Sequence, residues 1–122
     1  MLSIPVQMLI AFVLLPVLDA PWLWFQSTNA REMFAAIQCG RTGDMRLWAA
    51  AVVYVALAYL LTQQTSMLGA ALSGSAVYAV YDFTNLALLQ RYTLSFAIQD
   101  TLWGGVLFGI AWWLLDTIKK QF

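Results

Sequence analysis

Three carboxylates and one amide stand where apolar side chains are expected. Asp19, Asp82, Asn85 and Asp100 interrupt long hydrophobic runs in a chain of 122 residues that is 62% hydrophobic and 10% charged. A charged side chain in hydrocarbon costs at least about 2.5 kcal/mol, so it normally faces protein or water and marks a proton, ion or ligand site. Oxygen ligands of this kind suit a proton or a hard cation such as Na⁺ or Ca²⁺ better than a transition metal. These four residues are therefore the expected ligand- or ion-binding group.

The elements that must position them are membrane helices. Soluble domains are about 45 to 50% apolar and 25% charged, far from this composition. About 20 helical residues cross a hydrocarbon core of about 30 Å. Four segments approach or meet that length: residues 4–25, 47–63, 67–90 and 94–115. The runs are long and continuous where β-barrel strands would be short and alternating. The expected fold is all-α: one polytopic transmembrane domain over residues 1–122, four transmembrane helices in a compact bundle. Pro16, Asp19 and Pro21 break what would be the apolar core of a cleaved secretory signal, and no Lys or Arg precedes it, so the first segment is expected to be retained as a span.

Charge and composition exclude several function classes. Lys+Arg and Asp+Glu balance at 6 each, leaving no basic surface for nucleic acid. With no His and one Cys, Cys39, there is no donor set for zinc, haem or an iron–sulfur centre. No cofactor or metal site is expected beyond protons or a hard cation. An enzyme is disfavoured, because paired carboxylates stand alone, without His, an activated Ser or Cys, or an Asp-x-x-Asp metal spacing.

Topology follows from the basic residues. Four spans put loops one and three on one side with Arg31, Arg41, Arg46 and Arg91, and the termini on the other with Lys119 and Lys120. The positive-inside rule then makes loops one and three cytoplasmic in a multi-pass protein of the cytoplasmic or plasma membrane. Trp22, Trp24, Phe25, Trp48, Trp112 and Trp113 sit near span ends, as interfacial aromatics do. In loop one, Asn29 followed by Glu32 reads as an N-cap with its N3 partner, Met33, Phe34 and Ile37 share a face, and Cys39-Gly40 would end the turn. That pattern predicts a short interfacial helix.

Counting at about 1.5 Å per residue from the side of loops one and three places Asp19, Asp82, Asn85 and Asp100 about 9 to 14 Å deep, in one layer. Gly74, Tyr78, Asp82, Asn85 and Leu89 form one stripe of the third segment, and Asp100, Trp103, Gly104 and Leu107 one stripe of the fourth, with Gln99 adjacent. Pro16 and Pro21 would free backbone carbonyls near Asp19. Three ionised carboxylates so placed would repel, so the layer is expected to hold protons or a cation. The same residues also fit a purely interhelical hydrogen-bond network, with Arg46 or Arg91 snorkelling toward a carboxylate. Ala70-x-x-x-Gly74 and Gly105-x-x-x-Gly109 permit close helix approach, either within the chain or between copies.

Leu18-Asp-Ala-Pro-Trp-Leu-Trp24, Tyr81-Asp-Phe-Thr-Asn-Leu-Ala87 and Asp100-Thr-Leu-Trp-Gly104 together resemble the DUF2177 family of small predicted four-helix membrane proteins. Its pattern has an Asp before Trp in helix one, a YD-x-TN-L core and a D-x-x-WG motif; Pro21 departs from it. The resemblance implies architecture rather than an activity, and singles out Asp19, Trp22, Tyr81, Asp82, Thr84, Asn85, Asp100, Trp103 and Gly104. The functional expectation is a small transporter or channel subunit handling a proton, cation or small polar solute, with Tyr78, Tyr81, Thr84, Trp22, Trp103 and Gly104 in support. The alternative is a structural or assembly protein whose acids bond helices together. Expected partners are the lipid bilayer and either further copies of the chain or a membrane partner protein.

Overall fold

The computed structural model describes residues 1–38 and 46–122. Among these residues there are four helices and no strand: α1 (Ile4–Ile37), α2 (Leu47–Thr62), α3 (Met67–Leu88) and α4 (Leu94–Lys120). α2, α3 and α4 begin where the sequence predicts. α1 does not end there. It continues unbroken from Ile4 through Pro16 and Pro21 to Ile37, 34 residues in all.

Loop one therefore lacks the separate interfacial helix expected at Asn29. Asn29 lies inside α1, where its Nδ2 donates to Gln26 Oε1 at 3.3 Å instead of capping a new helix. The reason is visible in the burial pattern. Gln7, Ala11, Leu15, Asp19, Gln26 and Met33 are all buried, at helical steps of four or seven. One stripe thus runs the length of the helix, and its upper third has something to pack on. Cys39, Gly40 and Arg41 lie outside the described residues.

Local chemistry sets the other ends. Ser66 Oγ accepts from the Gly69 N–H at 2.9 Å to cap α3, and Thr93 Oγ1 accepts from the Phe96 N–H at 3.2 Å to cap α4. Lys119 and Lys120 occupy the last turn of α4, where they favour its negative end. The amino terminus donates to the Phe122 carbonyl at 3.1 Å, so both ends of the chain meet on one face.

α4 is the organising element and packs against each of the other three helices. Its contact with α3 is backbone-close because neither side has room for a Cβ. One added at Gly74 would strike the Gly104 carbonyl and the Phe108 ring; one at Gly104 would strike the Tyr78 ring; one at Gly105 would strike Ser75 Oγ. The small-residue motifs are thus used inside the chain, and Ser75 Oγ fastens the seam by donating to the Thr101 carbonyl at 3.0 Å.

Two apolar clusters result. The larger joins Leu15, Leu61, Leu107 and Phe108 toward the terminal face; the smaller joins Met33, Tyr92 and Ala97 toward loop three. Asp19, Asp82 and Asp100 lie between them. The outer faces are apolar, and α1 and α4 are each long and apolar enough to cross a membrane. α2 is apolar but shorter, and α3 has the length but carries the polar stripe that lowers its hydropathy.

Candidate functional site

The site is built from two Asp-x-x-Trp turns facing each other across antiparallel helices. On α1, Asp19 and Trp22 lie three residues apart; on α4, Asp100 and Trp103 do the same. Trp103 Nε1 donates to Asp19 Oδ1 at 2.7 Å, and Trp22 Nε1 donates to Asp100 Oδ1 at 3.2 Å. The two indoles stack between the carboxyls, centroids 5.4 Å apart and planes 12° from parallel. Each helix thus supplies one acceptor and one donor in a reciprocal exchange.

Asp19 is fully satisfied. Tyr54 of α2 donates to its Oδ2 at 2.7 Å, so three helices meet on one carboxylate that is 5% exposed. A buried carboxylate with two good donors and no open side is well suited to holding helices in place.

Asp82 is different. It is 0% exposed, Tyr92 Oη donates to its Oδ1 at 2.6 Å, and among the described residues no donor reaches its Oδ2. The neighbour of that carboxyl is Asp100, close enough for the two acids to interact directly. Burial and the Asp82 contact push the Tyr92 hydroxyl, in loop three, well above its ordinary range, so it stays a neutral donor. The Tyr78 side chain lies on Gly104 and interacts electrostatically with Asp19, Asp100 and Asp82. Above this layer, Gln26 Nε2 donates to Gln99 Oε1 at 2.8 Å and closes the α1–α4 seam.

The structure therefore brings Asp82 and Asp100 together and joins Asp19 to them through the stacked indoles. Asn85 is half-buried beside the hydroxyls of Tyr81 and Tyr92, while Tyr81 is 54% exposed and Thr84 faces outward. Gly104 serves as the flat surface under Tyr78. Among the described residues, no three His, Cys, Asp or Glu side chains are grouped as a metal site.

Several participants escape a reading of the sequence. Tyr54 carries a hydroxyl in the middle of an apolar helix, which was the available signal, since buried Tyr usually finds a partner for its O–H. Tyr92 sits in a short loop and has no periodicity to reveal it. Trp22, expected in an interfacial belt, turns inward to Asp100, while Trp112 donates to the Gln64 carbonyl of the second loop at 3.1 Å. Trp24, Trp48 and Trp113 keep the outward position.

The family model for DUF2177, described as a predicted membrane protein, matches residues 4–115. The chain belongs to the DUF2177 family. No curated protein and no solved structure matches it. In this DUF2177 chain the matched region contains both Asp-x-x-Trp turns, the YDFTN segment and Tyr54, which is to say the whole polar layer. Family membership supports a lipid environment around it.

Proposed function

We propose that this protein is a four-span membrane protein in which the Asp82–Asp100 pair takes up and releases a proton, as the carboxylate site of a small transporter or channel subunit. The observation that carries the reading is Asp82 Oδ2, a fully buried acid oxygen that has no donor among the described residues and lies beside a second acid. Two negative charges on neighbouring acids in a low-dielectric interior repel strongly, and one shared proton removes the repulsion and supplies a hydrogen bond to Asp82 Oδ2.

Four spans are supported by the apolar outer faces of every helix. Val13 and Val17 on α1, Val52 and Val53 on α2, Leu72 and Val80 on α3, and Leu102 and Val106 on α4 are all exposed. Such a continuous belt suits lipid. The meeting of Met1 with Phe122 fits an even number of crossings. Arg31, Arg46 and Arg91 at the opposite end favour a cytoplasmic position for loops one and three.

The alternative, a bonded network whose work is structural, fits Asp19 best, because both its oxygens are occupied by donors from other helices. The two readings therefore divide the acids between them. Proton flux into proteoliposomes under an imposed gradient separates them: Asp82→Asn should fall to the level of protein-free vesicles. Equal flux through Asp82→Asn and the unaltered chain would leave the network reading alone.

A further inference from the structure

A polar cleft of about 530 Å³ opens above the carboxylate layer, between the upper third of α1 and the start of α4. Its walls include Glu32 and Asn29 from α1, Arg91 and Thr93 from loop three, and Ser95 and Phe96 from α4. Gln26 and Gln99, bonded to each other across α1 and α4, also line the cleft. The volume lies within the about 300 to 1,000 Å³ of small-molecule sites.

Its level in the membrane follows from helix length. The 34 residues of α1 rise about 51 Å, against a hydrocarbon core of about 30 Å. The part of α1 beyond Phe25 consequently projects into the headgroup zone, and that part forms the cleft. Met33 is held there by its sulfur, which accepts from the Thr93 N–H at 3.4 Å, so the wall is built rather than frayed.

Among the described residues the charges lining the cleft are one cation, Arg91, and one anion, Glu32. Among the described residues neither Arg91 nor Glu32 makes an ion pair; the ion pair found there is Lys120 with Asp116, at the other end of the bundle. An arginine presents a planar fork that matches phosphate oxygens, and a carboxylate matches an ammonium that still has N–H donors. A quaternary ammonium would instead call for an aromatic cage, and among the described residues the cleft is lined by one ring, Phe96.

We infer that this cleft binds a zwitterionic group carrying a phosphate and a primary ammonium, with Arg91 on the phosphate and Glu32 on the ammonium. That chemistry occurs in the phosphoethanolamine headgroup of a membrane lipid and in the free headgroup ester. The inference rests on the membrane reading of the chain and is independent of the proton pair, so proton flux through Asp82 and ligand retention in the cleft succeed or fail separately.

The test is retention of defined ligands by the purified full chain in detergent, read by native mass spectrometry. The probes are phosphatidylethanolamine, phosphatidylglycerol, phosphatidylcholine and glycerophosphoethanolamine. Phosphatidylethanolamine should be retained in preference to the other two lipids. Arg91→Gln should weaken retention of every phospholipid by about tenfold, and Glu32→Gln should abolish the preference for the ethanolamine headgroup over glycerol. Both residues are exposed, so the variants should keep the helical content of the parent. Glycerophosphoethanolamine held as tightly as the lipid would support the site with a soluble ligand; lipid held far more tightly would support it with a membrane ligand. Absence of any headgroup preference, or both variants retaining lipid like the parent, would overturn the inference.

Discussion

Trp103 of α4 donates to Asp19 of α1 at 2.7 Å, and the same arrangement runs in reverse from Trp22 to Asp100 at 3.2 Å. This exchange makes the α1–α4 contact specific. A helix pair held by apolar packing alone could slide in lipid, because lipid tails are as apolar as Leu side chains. Two opposed indole–carboxylate bonds with stacked rings between them fix both register and rotation.

The clamp predicts an asymmetry in stability. Trp103→Phe removes one donor while Tyr54 still holds Asp19, and should cost about 1 to 2 kcal/mol. Asp19→Leu strands the Tyr54 hydroxyl and the Trp103 N–H together and should cost more. Thermal unfolding in detergent gives the order; a Trp103→Phe loss at least as large as that of Asp19→Leu would mean that the ring stack, not the carboxylate, holds the helices.

The glycines of α4 are unequal. Gly104→Ala drives a Cβ into the Tyr78 ring and should destabilise by about 1 to 3 kcal/mol or separate α3 from α4. Gly109→Ala meets only ordinary contact, with Ala71 Cβ at 3.6 Å, and gains helix propensity of up to about 1 kcal/mol. It should be neutral or stabilising. Unfolding midpoints of the two variants check the seam directly, and equal losses would contradict it.

Tyr92 predicts a pH dependence. Its hydroxyl is shifted upward by burial and by the bond to Asp82 from an ordinary value of 10.0. A raised folded value means that the stabilisation is fully present below that ordinary value and is lost as pH climbs through the folded one. Unfolding midpoints should therefore fall as the solution passes about pH 10, and Tyr92→Phe should remove part of that fall. An alkaline profile unchanged in Tyr92→Phe would contradict the bond to Asp82.

Much of this is legible in the sequence and some is not, for physical reasons. Depth counting puts Asp19, Asp82 and Asp100 at one level because helical rise is constant, and the structure links the three acids through Trp22, Trp103 and the Asp82–Asp100 contact. Counting says nothing of rotation, so it leaves open which acids touch. The pairing of Asp82 with Asp100 depends on Gly74 and Gly104 drawing α3 onto α4. The length of α1 is missed because Asn29 and Glu32 read as a cap, whereas tertiary burial of Gln26 and Met33 carries the helix past them. Trp22 is read as a lipid anchor from its place in the sequence, since an indole N–H satisfies an interfacial or a buried role equally well.

The central claim, that Asp82 and Asp100 share a proton, is most directly tested by infrared spectroscopy of the purified chain in lipid at neutral pH. The account predicts a protonated-carboxyl C=O band that is retained in Asp19→Asn and absent from the Asp82→Asn/Asp100→Asn double variant. A spectrum with every carboxyl ionised, or a band that survives in the double variant, would contradict it.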